Sequence, residues 1–95
     1  MKLPLAIHCA IKLLNEGKWI VFESKFDKNG KGDLVSIIPG GLGGMVQFMY
    51  ETPERRNEMF SVEFLEENAD LVEINGVKTL RIGDFTCLPS VHPIR

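Results

Sequence analysis

The sequence holds little of what most enzyme, metal and nucleic-acid signatures are built from. Cysteine occurs only at Cys9 and Cys87. Two cysteines make no disulfide framework, and they point to free thiols in a reducing compartment. His8, Cys9, Cys87 and His92 are the right residue types for zinc. However, His8 and Cys9 are helix neighbours whose side chains diverge, and Cys87-x4-His92 is wider than the paired spacings zinc prefers, so no metal is expected. None of the four serines sits in a G-x-S-x-G elbow. There is no excess of positive charge: the net charge is −2, which gives no global field to draw in DNA or RNA. No apolar run approaches the roughly 18 residues of a membrane span. The opening MKLPLAIHCAIKLL invites a signal-peptide reading, but His8 and Lys12 interrupt it and no small-x-small cleavage site follows. The expectation is a cytoplasmic protein with no membrane partner and no cofactor.

What is present is one domain's worth of ordinary globular sequence. The 95 residues are 44% hydrophobic and 25% charged. Residues 4–16 carry Leu3, Ile7, Ala10, Ile11 and Leu14 at helical spacing, with Pro4 at the start and Gly17 just past the end. A second apolar line, Leu5, Cys9 and Leu13, widens that face beyond what one packing contact requires. This line is the expected interface of a homodimer or higher oligomer, since a small chain buries a modest share of its surface.

After Gly17 the period changes to two. Strands are expected at 18–26, 33–38, 45–50, 60–65, 71–74 and 77–82. In 18–26, Ile20, Phe22 and Phe26 share one face and Glu23 and Lys25 the other; Trp19, Tyr50 and the six phenylalanines read as core. Asn75-Gly76 between two alternating runs predicts a type I′ hairpin that sets Ile74 against Val77, Glu73 against Lys78 and Leu71 against Leu80. Residues 52–58 allow a capped helix, with Thr52 as cap and Pro53 in the first turn. The Phe60 and Phe64 spacing also allows a helix to about residue 67, and a short turn or helix followed by a strand is preferred. The fold class is therefore α+β, one N-terminal amphipathic helix packed on an antiparallel sheet of five or six strands. It forms a single domain over residues 1–88 with an extended tail over 89–95.

Two loops resemble ligand signatures and depart from them. DKNGKGDLVSII matches an EF-hand loop at Asp27, Asn29, Gly32 and Asp33, but Lys31 and Ile38 stand where an oxygen ligand and a bidentate Glu belong. In PGGLGG, Gly40, Gly41, Gly43 and Gly44 satisfy neither the Walker A pattern nor the dinucleotide pattern, and no helix follows. The loop reads first as a turn and second as a place where a small ligand could approach the backbone.

Charge is unevenly spread. Residues 1–47 carry six basic and four acidic residues; residues 48–95 carry five and nine. From Glu51 to Glu73 there are eight acids against Arg55 and Arg56. Glu63, Glu66, Glu67, Asp70 and Glu73 form the expected docking ridge for a protein with a basic surface. The sequence thus favours a small non-catalytic binding protein that occupies a partner surface, such as a phage or mobile-element inhibitor of a host system. The helix, Gly17-Lys18 and the aromatic-rich strand after it look like the arrangement in some small phage ligand-sequestering proteins. The alternative is a small-molecule, nucleotide-like ligand bound in a pocket at an oligomer interface, between Gly40–Gly44 and aromatic strand residues. An enzyme using Cys87 or a glutamate pair is the third reading.

Overall fold

Alternating strands that follow an amphipathic helix must bury one face of the sheet against it. The computed structural model, which describes residues 3–26, 30–83 and 92–93, has this arrangement. Helix α1 (Leu5–Asn15) is followed by strands β1 (Ile20–Ser24), β2 (Lys31–Ile38), β3 (Val46–Glu51) and β4 (Arg55–Phe60). Helix α2 (Val62–Asn68) comes next, then β5 (Ala69–Ile74), β6 (Val77–Ile82) and the two-residue β7 (His92–Pro93). The strand order is β4-β3-β2-β1-β6-β5-β7. All pairings are antiparallel except the central one, β1 with β6, which is parallel. A parallel pair needs a long crossover, and here the whole of β2 to β5 supplies it.

The helix covers one face of the sheet. Ala6, Ile7 and Ala10 are fully buried against Ile20, Phe22, Leu71, Leu80 and Ile82, and Leu3, Ile11 and Leu14 pack at the margin. The Asn75-Gly76 turn forms as expected: both residues have positive φ, 51° and 80°, and the register sets Glu73 against Lys78 and Leu71 against Leu80. Asp27 and Asn29, which carry part of the EF-hand likeness, lie outside the described residues, as do Cys87 and most of the 89–95 tail.

Residues 53–67 correct the preferred reading. Arg55–Phe60 is the strand, returning from β3 through a tight loop in which the Thr52 hydroxyl donates to the Glu54 carbonyl at 2.9 Å. The stretch expected as strand 60–65 is mostly helix. Ser61 caps it, its hydroxyl accepting from the Phe64 N–H at 3.1 Å, with Glu63 in the first turn. The charged run RRNEM concealed the strand, because alternation there is carried by Arg56 and Glu58 rather than by apolar residues.

The sheet is also curled. β1 and β4 are three strands apart, a separation of roughly 14 Å in a flat sheet. Yet the Ser24 hydroxyl on β1 donates to the Glu58 carboxylate on β4 at 2.8 Å, and the Tyr50 hydroxyl on β3 donates to the same carboxylate at 2.7 Å. An aromatic seam follows the fold: Phe22 lies 4.6 Å from Tyr50 and 5.3 Å from Phe48, centroid to centroid, and Phe26, Phe60 and Phe64 form a triangle at its mouth. The β3–β4 end of the sheet thus closes over β1, doing for that half of the core what α1 does for the other half. A β-bulge between Leu34 and Ser36 on β2 assists the bend.

Candidate functional site

Helix α1 lies on one face only; on the opposite face Val72, Thr79 and Arg81 are buried, while Trp19 stands exposed. Strand alternation puts Trp19, Val21 and Glu23 on this opposite face from β1 and the turn before it, Val77, Thr79 and Arg81 from β6, and Asp70, Val72 and Ile74 from β5. Trp19 is 61% exposed, which corrects its assignment to the core. Its indole N–H donates to the Asp33 carboxylate at 2.7 Å, which fixes the ring over the sheet. The ring separates two depressions. One, of about 250 Å³, is lined by Trp19, Val21, Glu23, Ile74, Val77 and Arg81 among others. The other, of about 340 Å³, lies toward α1 between Leu13, Lys18, Trp19, Gly76, Val77 and Lys78.

The floor of the first depression is charged. Arg81, only 8% exposed, donates from Nε to Glu23 at 3.0 Å, and Lys31 Nζ approaches the same carboxylate at 3.8 Å. Glu23 and Arg81 stand opposite each other in the parallel register, so the pairing of β1 with β6 assembles this ion pair. Apolar walls around a paired charge suit recognition of a partner group.

The expected sites disperse. Glu63, Glu66 and Glu67 do share an exposed face, but on helix α2, through i, i+3 and i+4 spacing. Asp70 lies on β5 opposite Arg81, and Glu73 is salt-bridged to Lys78 at 2.6 Å. Glu51 pairs with Arg55 at 2.7 Å and Glu54 with Arg56 at 3.3 Å, while Glu58 is turned inward to Ser24 and Tyr50. The continuous ridge therefore reduces to the three glutamates of α2. On α1, Leu5 is exposed, whereas Cys9 and Leu13 are half-buried and pack on the core. Among the described residues, no three His, Cys, Asp or Glu side chains converge on a point that could hold a metal ion, and Cys9 is a free thiol. Among the described residues, no helix is long and apolar enough to cross a membrane.

The glycine-rich loop closes on itself. The Gly41 N–H donates to the Met45 carbonyl at 2.9 Å and the Gly44 N–H to the Gly41 carbonyl at 2.8 Å, around a 3-10 turn at Leu42–Gly44. Two of its amides are thereby engaged within the loop. Gly40, Gly43 and Gly44 have φ near +75°, +70° and +75°, where a Cβ is strained, while Gly41 has an ordinary φ of −70°. A loop that only turns the chain should follow this backbone pattern. Gly43→Ala is expected to cost about 1–2 kcal/mol in urea unfolding, and Gly41→Ala to cost less, because its φ is ordinary and its Cβ asks the Met45 carbonyl oxygen, 3.3 Å away, to give by only a few tenths of an ångström. Equal losses at both positions would contradict it.

Trp19 and Phe26, 61% and 57% exposed, were both read as core and are surface groups; for Trp19 the sequence held a signal. In the 18–26 alternation it shares the parity of Glu23 and Lys25, not that of Ile20 and Phe22. No family model, no curated protein and no solved structure matches this chain, so the site rests on its own geometry.

Proposed function

We propose that this chain is a small non-catalytic binding protein that acts by occupying a partner surface with the exposed patch around Trp19. The observation that carries the reading is the exposed indole, held by Asp33 between two depressions with apolar walls. Tryptophan is costly to leave in water and is enriched among residues that dominate binding energy. Inhibition of a host system by a phage or mobile-element accessory protein is one form such occupancy would take. Its support is the small size of the chain and the absence of a catalytic constellation among the described residues.

A second reading keeps the acidic surface as the site. It is favoured by the shared exposed face of Glu63, Glu66 and Glu67 beside Phe26, which is 57% exposed. A partner for that surface would be basic, and its association rate would fall with salt.

Trp19 is the sole tryptophan, so a fluorotryptophan label reports on this face alone. Proteins captured by the wild-type chain from its host would be purified and added back to the labelled chain. Occupancy of the face should shield the label from solvent, and Trp19→Ala should weaken binding at least about thirtyfold, as a central hot spot does. A partner that binds while the label stays solvent-exposed overturns the Trp19 reading. Loss of that binding on Glu63, Glu66 and Glu67→Lys would transfer the site to α2.

A further inference from the structure

Sheet edges need protection, and the two edges of this sheet differ. At one end β5 is covered by β7. At the other end β4 is, among the described residues, the last strand of the order, with six residues in unbroken register with β3. Devices that blunt an edge include charged side chains, proline, a bulge or a very short strand. RRNEMF has no proline and its pairing with β3 shows no bulge, but it carries Arg55, Arg56 and Glu58, charges that deter an unlike edge and can still be complementary to a second copy of the same strand. Arg55, Asn57 and Met59 are exposed along one face of the strand, and Arg56, Glu58 and Phe60 alternate onto the curled face.

The charge pattern of this strand is complementary to itself in one register. Two copies of an edge strand related by a two-fold axis pair antiparallel, and opposite residues must lie on the same face. That condition leaves registers centred on single residues. Centring on Arg56 puts Arg56 against Arg56, and centring on Glu58 puts Glu58 against Glu58; like charges directly opposite are destabilising. Centring on Asn57 puts Arg56 against Glu58 of the second copy and Glu58 against its Arg56. Arg55 then lies against Met59, whose side chain is 51% exposed, and Asn57 faces itself across the axis.

We propose that β4 pairs antiparallel with β4 of a second copy about a two-fold axis at Asn57, joining two sheets into one. This places self-association on the sheet edge rather than on the Leu5, Cys9 and Leu13 line of α1, where two of the three residues already pack on their own core. The pairing leaves the Trp19 face, three strands away, open in both copies.

Light scattering on the full chain at micromolar concentration should give twice the 10.7 kDa chain mass. In a Cys9→Ser, Cys87→Ser background, Asn57→Cys should form a covalent dimer under mild oxidation. Self-paired antiparallel residues have Cα atoms about 4.5–5.5 Å apart, inside the disulfide range. Arg55→Cys alone should cross-link roughly a tenth as fast or slower, because it faces Met59, and a mixture of Arg55→Cys and Met59→Cys chains should restore rapid cross-linking as a heterodimer. Arg56→Glu should weaken the dimer roughly tenfold or more, since both complementary pairs become repulsive. A monomeric mass overturns the proposal. So does a dimer in which Asn57→Cys fails to cross-link, or one whose affinity is unchanged by Arg56→Glu. None of these readouts depends on a partner protein, so failure here leaves the Trp19 reading standing.

Discussion

Replacing Gly32 by alanine should be among the most damaging single changes in this protein, with a loss of about 3 kcal/mol or more and a melting temperature lower by upwards of about 10 °C. A Cβ at this position would overlap the carbonyl oxygen of Glu51 and lie 2.7 Å from its carbonyl carbon. Both atoms are backbone, so no side chain can swing aside. Relief requires the β3–β4 hairpin to move away from β2. The same movement would draw Tyr50 from Phe22 and Glu58 from Ser24, because those contacts also depend on where the β3–β4 hairpin sits. Thermal unfolding followed by circular dichroism measures the effect. A melting temperature within about 2 °C of wild type would show that the Glu51 backbone does not crowd Gly32. The Gly17→Ala variant is a useful contrast: its φ of +77° imposes backbone strain, but nothing lies within 4 Å of its Cβ position.

The second large effect is expected at Glu58. Its carboxylate accepts two hydroxyl donors, Ser24 and the fully buried Tyr50, and thereby ties β4 to β1 and β3. Glu58→Ala deprives both hydroxyls of this acceptor, at an expected cost of about 2–3 kcal/mol. For a domain of this size that lowers the melting temperature by roughly 10–20 °C. Glu58→Gln keeps an acceptor oxygen for one of the two and should cost less than half as much. A double-mutant cycle with Tyr50→Phe separates the clasp from general destabilisation. The two losses should be clearly less than additive if Tyr50 acts through Glu58. Full additivity would mean that the hydroxyl and the carboxylate stabilise the fold independently.

Both residues show where sequence reading stopped. Gly32 and Glu58 each had an ordinary local explanation, one as a loop glycine with a calcium-site likeness and the other as one acid in an acidic run. Both local readings needed correction, since Gly32 lies inside β2 and Glu58 in strand β4 rather than in a turn or helix. What assigns them their roles is contact with residues 19 and 34 positions away in the chain, Glu51 and Ser24. The same holds for the acidic stretch. Counted along the sequence, its acids face only Arg55 and Arg56, but the hairpin delivers Lys78 to Glu73 and sets Arg81 against Asp70. Phe60, Val62 and Phe64 alternate while Phe60 and Phe64 also stand at i, i+4, and over so few residues periods of 2 and 3.6 coincide.

The sequence by itself determined the elements whose causes are local. Helix α1 follows from apolar spacing bounded by Pro4 and Gly17, and the β5–β6 hairpin and its register follow from Asn75-Gly76, which tolerate the positive φ that a type I′ turn requires. The buried identities of Ile7, Phe22, Phe48 and Leu80 follow from alternation and helical period. Only the tertiary structure decided that β1 lies parallel to β6, that the sheet curls until β4 closes over β1, and that Trp19 stands exposed on the face opposite α1. The reason is physical. Backbone propensity and periodicity act over a few residues, whereas strand order, curvature and the choice of covered face depend on which distant side chains fill a common volume. No local pattern along the chain encodes that volume.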